Sequence, residues 1–328
     1  MTALVSLNAK PGWGKTFWAL YLASKLKQKT LILVHTTNLQ LQWVEEIQKQ
    51  LGFTPGVALD GKFKEHPLIT VSLIQTAGKH IKDIEKSYGL VVMDEVHHLP
   101  ADTFMLVMNG LYAKYKIGMT GTLRRTDKKE KVIFDYFSKN VLVAKDSNTL
   151  KPKVFVTRLK YNFDDLTGTY AEKITKMCTD PNFIQEQLDI IDSMLGVGHK
   201  VLYVSDRVDT VETIHEALPR STILTGKTTN RESVFDKARA GEHDTVLSTT
   251  RLFSEGISEN YLSCLILGSF ISSDVTLEQI VARVTRKYEG KLDPIIIDMA
   301  PSGRTMRSQL STRLEFYESQ GWEVIHAN

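Results

Sequence analysis

Cysteine is almost missing from the chain: Cys178 and Cys264 are the only 2 in 328 residues. They lie far apart, match no metal-ligand spacing and build no disulfide framework, which suits a reducing compartment. No apolar run reaches the roughly 20 residues a membrane helix requires, so no membrane partner is expected. Neither sign of charge dominates: 41 Lys+Arg against 38 Asp+Glu leave a formal +3. That balance neither demands nor excludes nucleic acid, because local basic clusters can still contact phosphates. There is no low-complexity tract and no internal sequence repeat. The opening MTALVSLNAK is too short and mixed for a signal peptide. A soluble, cytoplasmic chain is expected.

What the sequence does have is alternation. Short β-branched runs (TALVSLNA, TLILVH, LITVSLI, GLVVMDEV, YKIGMTGT, NVLVAK) are separated by amphipathic stretches such as GKTFWALYLASKLK and LQLQWVEEIQKQL. Strands separated by helices of that length imply right-handed crossovers and a parallel sheet buried on both faces. Asn38 is the expected N-cap of the second helix. The pattern weakens over 146–170, a polar stretch holding one strand-like run, which reads as a junction. It resumes with HKVLYVSD, STILTG, DTVLSTT, CLILGSF, TLEQIVARVTRK and PIIIDMA. The fold class is therefore α/β, in two parallel-sheet domains of similar size, 1–148 and 149–328. The closing RTMRSQLSTRLEFYESQGWEVI reads as a helix and a strand, with Arg304, Arg307 and Arg313 as solvated cations in the first reading and as phosphate neighbours in the second.

Residues 9–16, A-K-P-G-W-G-K-T, nearly fit the phosphate-binding pattern G-x-x-x-x-G-K-[ST], with Ala9 in place of the first glycine. A strand ending near Asn8 and a helix starting near Gly14 supply the context the pattern needs. Gly12 and Gly14 let backbone N–H groups turn inward, and a helix N-terminus adds partial positive charge. Lys15 can reach β- and γ-phosphates, and the Thr16 hydroxyl can ligate Mg²⁺. Pro11, Gly12, Trp13, Gly14, Lys15 and Thr16 form the candidate cradle. Trp13 is expected mainly to pack.

A phosphate loop needs a metal-holding acid on a nearby strand, and the apolar run of GLVVMDEVHH ends in Asp94-Glu95. Asp94 would hold Mg²⁺; Glu95 would orient and deprotonate the attacking water. His97 and His98 do not suggest zinc. Adjacent strand residues point to opposite faces, and no further ligand completes a set.

The loop A-x-x-G-x-G-K-T followed by D-E-V-H resembles motifs I and II of superfamily 2 helicases, the DExH group. That resemblance implies two RecA-like domains in tandem with ATP between them, and a nucleic-acid-stimulated ATP hydrolase that works as a helicase or translocase. Other segments occur in the family's order. QIVARVTR, 279–286, resembles motif VI with Ala282 in place of its glycine. It implies catalytic roles for Gln279, Arg283 and Arg286, the arginines sharing one face at a helix start. LVHTTNLQLQW resembles motif Ia and offers Thr36, Thr37 and Gln42 to a nucleic-acid backbone, and SLIQT offers Gln75 and Thr76. GMTGTLRRTD resembles motif III, where Thr120 and Thr122, with His97, would couple the two sites. VLYVSDR resembles motif IV. LSTTRLFSEGIS resembles motif V, with Thr249 and Thr250 toward nucleic acid and Glu255 and Gly256 toward nucleotide.

The Gln42-Trp43 pair and the Thr-Gly-Thr-Leu-Arg stretch look most like the DNA-directed branch, similar to XPB, RadD and phage UvsW-type helicases. The resemblance implies ATP and Mg²⁺ as cofactors, DNA with a single-stranded or branched region as partner, and a monomer. The strand that carries the phosphate loop starts at residue 2, so the upstream glutamine-containing segment that reads adenine in such helicases is not expected. ATP is then the default nucleotide, and an accessory protein or a further domain is an expected partner. An RNA helicase, and a P-loop ATPase or nucleotide switch that does not unwind, stay open as alternatives.

Overall fold

The computed structural model describes residues 3–9, 13–59, 62–96, 101–121, 136, 141–144, 149–228, 231–250, 252, 259–271 and 273–327. The chain forms two compact units, residues 1–147 and 148–328.

The first unit is built on strands β1 (Ala3–Asn8), β2 (Thr30–Val34), β3 (Gly56–Leu59), β4 (Lys62–Lys64), β5 (Ile69–Leu73), β6 (Leu90–Met93), β7 (Tyr115–Thr120) and β8 (Val141–Val143). Their order is β4-β3-β5-β2-β6-β7-β1-β8. β4 pairs antiparallel with β3, and the other pairings are parallel. Helices α1 (Lys15–Leu26), α2 (Thr37–Leu51), α3 (Ile74–Lys79), α4 (Ile81–Ile84) and α5 (Ala101–Gly110) flank the sheet. The run Thr-Leu-Ile-Leu-Val of β2 is buried at every position. Its side chains alternate between faces. Leu31 and Leu33 join Val91, Met93, Phe104 and Val107 in one core layer. Ile32 and Val34 join Leu20, Trp43, Ile47, Val71, Val92 and Met119 in the other. A sheet covered on both faces demands such continuous apolar strands.

The cap of α2 is Thr36, whose hydroxyl accepts from the Leu39 N–H at 3.3 Å; the expected cap, Asn38, lies inside the helix. Both residue types cap well, and the choice falls to the one nearer the end of β2 at Val34. LITVSLI ends as a strand at Leu73, so Gln75 and Thr76 stand in the first turn of α3.

The second unit is an all-parallel sheet of β9 (Lys153–Asn162), β10 (Val201–Ser205), β11 (Ser221–Leu224), β12 (Thr245–Thr249), β13 (Cys264–Leu267), β14 (Ile295–Ser302) and β15 (Glu323–Ala327), in the order β11-β12-β10-β13-β14-β9-β15. The expected junction over 146–170 is thus largely structural. Its strand-like run is β9, seated between β14 and β15, and non-local pairing of that kind leaves no signal in local composition.

Around this sheet lie α6 (Tyr170–Cys178), α7 (Pro181–Gly196), α8 (Val208–Ala217), α9 (Arg231–Arg239), α10 (Asp274–Val284) and α11 (Arg304–Ser319). α6 opens with a capping box of Thr169 and Glu172, and α7 with an Asp180 cap and proline in its first turn, both standard start signals. Arg313 corrects the solvated reading: it is 2% exposed and grips Asp298 of β14 through two bonds of 2.8 Å. Tyr317 donates its hydroxyl to the same carboxylate at 2.9 Å. The bidentate pair fastens α11 to the sheet. No described helix is long and apolar enough to cross a membrane.

Candidate nucleotide site and its flanking groups

In the first unit the carboxyl ends of β6, β7 and β1 lie side by side: Met93 is in register with Gly118, and Thr120 with Asn8. In open α/β sheets this is the edge at which ligands bind. β1 delivers the chain to Ala9, whose N–H bonds the Thr120 carbonyl at 3.0 Å. Gly14, at φ 103°, turns the chain into α1. That left-handed conformation is open to glycine at little cost and strained for other residues. Among the described residues no side chain caps α1, and no acid stands in its first turn. A helix N-terminus, with its first-turn N–H groups and dipole, favours an anion.

Lys15 opens the helix, and its ammonium lies 2.9 Å from Glu95 Oε1. The other Glu95 oxygen accepts the Gly121 N–H at 3.3 Å. Glu95 thus spans from the phosphate loop to the end of β7. Its own backbone sits at φ 46°, a conformation non-glycine residues adopt rarely and often at functional sites. Thr16 follows Lys15, half-buried. Trp13 packs partly buried against the core layer that holds Leu20 and Trp43, as its packing reading expects.

Asp94 is the buried member, 6% exposed. Its Oδ1 accepts the Glu95 N–H at 2.9 Å, and its Oδ2 accepts the indole N–H of Trp43 at 2.9 Å. Burial pushes the Asp94 carboxyl up to about 6, and the neighbouring Glu95 charge adds to the effect; Lys15 and the Trp43 N–H oppose it. A carboxylate and a hydroxyl are hard oxygen donors of the kind Mg²⁺ selects, so the side chains of Asp94 and Thr16 are of a chemistry that fits that ion.

The remaining residues of the first unit take varied positions. Thr36 caps α2, Thr37 begins it exposed, and Gln42 is half-buried in its second turn. Gln75 is exposed and Thr76 half-buried. Thr120 closes β7, 1% exposed. Sequence reading left Trp43 out of the site, although its place with Gln40 and Ile47 on the buried face of α2 gives the periodicity that marks it as inward-facing.

In the second unit Thr249 ends β12 and Thr250 follows it. Gln279 sits mid-way along α10. The arginine pair departs from expectation. α10 starts at the Ser273 cap and stops at Val284, so Arg283 lies in its last turn and Arg286 beyond its end. The segment expected to open a helix closes one, and the two arginines do not share a helix face. Arg283 is 9% exposed. The Arg286 backbone forms a bridge with Thr149, and its guanidinium reaches Asn260 Oδ1 at 3.4 Å. Burial lowers the Arg286 pKa, and the Glu259 charge opposes that. Lys291 braces the turn by donating to the carbonyls of Val284, Arg286 and Asn260 at 2.7, 2.8 and 3.1 Å. Pro11, Gly12, His97, Thr122, Glu255 and Gly256 lie outside the described residues.

Two largely parallel α/β units, the first with a lysine-bearing glycine turn facing an Asp-Glu strand end, have the tandem RecA-like architecture. Comparison with known proteins agrees. Residues 3–125 match the family described as type III restriction enzyme, res subunit, and residues 185–288 match the helicase conserved C-terminal domain. A protein of Escherichia phage T5 named as helicase D10 is 37% identical over 330 residues, covering 97% of this chain and 72% of that protein. A protein of Acanthamoeba polyphaga mimivirus named as an ATP-dependent RNA helicase is 26% identical, covering 95% of the chain and 63% of its own length. A Halobacterium salinarum protein named as the DNA 3'-5' helicase Rad25 is 25% identical, covering 98% and 55%. A fragment structure of an HsdR subunit of a type I restriction enzyme from Vibrio vulnificus YJ016 shares the fold, with a TM-score of 0.70 at 17% identity, over 99% of this chain and 64% of that one. The chain belongs to the superfamily 2 helicases, a class of ATP-hydrolysing enzymes.

Proposed function

We propose that the chain is a nucleic-acid-stimulated ATPase that translocates on or unwinds DNA. The observation that carries this reading is the cluster of Lys15, Glu95, Asp94 and the Gly121 N–H at the joined ends of three strands. In this reading the first-turn amides of α1, with Pro11, Gly12, Trp13 and Gly14, cradle the phosphates of ATP. Lys15 exchanges its Glu95 partner for phosphate oxygens. Thr16 and Asp94 hold Mg²⁺, which supplies charge neutralisation of the β- and γ-phosphates when bound. Glu95, released from Lys15, becomes free to orient a water and accept its proton. Gly121 keeps the second Glu95 oxygen in place.

Arg283 and Arg286, with Gln279, Glu255 and Gly256, act on the same nucleotide from the second unit. A guanidinium fork suits charge spread over the transferring phosphoryl group. Thr37, Gln42, Gln75, Thr76, Thr249 and Thr250 contact sugar and phosphate. Such contacts position a strand without reading its sequence. Thr120, Thr122 and His97 couple that track to the nucleotide. The protein acts as a monomer in the cytoplasm, with room for an accessory protein or domain.

The Rad25-named relative supports DNA, as does the Gln42-Trp43 pair. The relative named as an RNA helicase supports the second reading, RNA. One experiment separates them: ATP turnover measured in parallel with no nucleic acid, single-stranded DNA, forked DNA and RNA. The proposal expects DNA to stimulate most. Stimulation by RNA alone would move the chain to the second reading, and equal turnover in all four would remove the motor.

A further inference from the structure

Trp43 lies outside the residues that contact nucleotide in the reading above, yet its side chain ends on the acid of that site. Its indole is 2% exposed, and the N–H donates to Asp94 Oδ2 at 2.9 Å across 51 positions of sequence. The other carboxylate oxygen is held by the Glu95 N–H at 2.9 Å. Among the described residues each oxygen accepts one bond, which orients the carboxylate: a backbone amide holds the first oxygen and the Trp43 side chain the second.

That side chain belongs to α2, and α2 is set from elsewhere. Its N-terminus is capped by Thr36, two residues past the end of β2 at Val34. One turn on, the Gln40 amide donates to the carbonyls of Ala58 in β3 and Val71 in β5 at 2.9 and 3.0 Å. Gln40, Trp43 and Ile47 form the buried stripe of the helix. The helix is thereby locked to the sheet on one side of Trp43 and packed on the other, so the indole N–H has little freedom of position.

We infer that Trp43 is a positioning residue for the Asp94 carboxylate: it sets the orientation in which the acid meets Mg²⁺, and it makes that orientation depend on where α2 sits. The inference rests on Asp94 being a metal-holding acid. Groups that orient a metal ligand typically change metal affinity 10- to 100-fold when removed.

The test is binding of a fluorescent ATP analogue at equilibrium, with and without Mg²⁺, to wild type, Trp43→Phe, Asp94→Asn and the double variant. The expected result is that Trp43→Phe binds nucleotide normally without Mg²⁺ and loses about tenfold of the Mg²⁺-dependent gain. Asp94→Asn loses the gain, and adding Trp43→Phe to it costs nothing more, since two changes acting through one group are not additive. Equal, additive losses with and without Mg²⁺ would make Trp43 a packing residue and overturn the inference. If Asp94→Asn keeps the gain, the metal role of Asp94 fails instead. Should Trp43→Phe not fold, the wild-type indole N–H decides. Its proton resonance is expected to move in Asp94→Asn, and an unchanged resonance would overturn the proposal.

Discussion

The Lys15 ammonium and the Glu95 carboxylate stand 2.9 Å apart, one opening the helix after the glycine turn and the other two residues past the end of β6. In the proposed function each releases the other when a nucleotide arrives. Lys15→Ala is expected to abolish phosphate binding and ATP turnover. Glu95→Gln should bind nucleotide at least as well as wild type, since Lys15 no longer has an anionic competitor, yet turn over at least ~10²-fold more slowly, the usual contribution of a positioned base. Equilibrium nucleotide binding beside steady-state turnover checks both, and normal turnover in Glu95→Gln would remove it as the base.

Asp94 gives a pH prediction. Its folded value of about 6 stands above the ordinary 3.8. The folded protein therefore binds more protons than the unfolded one between those values, and stability falls as pH rises through that window. Above pH 6 the full cost of the buried charge is present, a few kcal/mol at most for a shift of this size. Asp94→Asn should then stabilise the ligand-free protein at pH 8 by about 2 kcal/mol while eliminating turnover. Thermal unfolding at pH 8 and pH 5 tests this: the gain of the variant over wild type should shrink at the lower pH.

Thr36 carries two candidate roles, and its substitutions separate them. The hydroxyl caps α2, so Thr36→Ala should cost about 1 kcal/mol of stability. Thr36→Gly removes the hydroxyl yet suits the cap position and should leave stability within about 0.5 kcal/mol. If DNA affinity falls in Thr36→Ala and survives in Thr36→Gly, the residue acts by shaping the start of α2; a fall in both marks the hydroxyl as the contact.

Much of this was legible in the residues. The strand and helix that flank the glycine turn were legible through local spacing, with β1 ending at Asn8 and α1 opening at Lys15. The acid pair was legible because an apolar run must stop where Asp94 begins. What stayed hidden was contact between distant segments. Nothing near Trp43 says that its N–H meets Asp94. Nothing near residue 153 says that β9 will sit between β14 and β15. The arginines of motif VI were recognisable by residue type, but their place at the end of α10 depends on where the helix starts. That is set by Ser273, ten residues before Arg283. Arg313 read as a solvated cation because its partner Asp298 lies on another element.

That buried pair yields the stability prediction for the second unit. Asp298→Ala leaves the Arg313 charge buried without its anion and should cost about 3–5 kcal/mol. Tyr317→Phe removes a single bond to the carboxylate and should cost about 1–2 kcal/mol. Denaturant unfolding checks both, and a smaller effect for Asp298→Ala than for Tyr317→Phe would contradict this account of how α11 is held.

In the proposed function one polypeptide supplies both the lysine–acid cluster and the guanidinium groups that act on a single nucleotide. Lys15→Ala and Arg283→Ala are each expected to be inactive alone, the latter through a turnover loss of ~10³-fold or more. The decisive measurement is the ATPase rate of an equimolar mixture of the two variants with single-stranded DNA present. The mixture is expected to stay as inactive as its parts. Recovery of turnover on mixing would show that the arginine reaches a neighbouring chain's nucleotide, and would contradict action within one polypeptide.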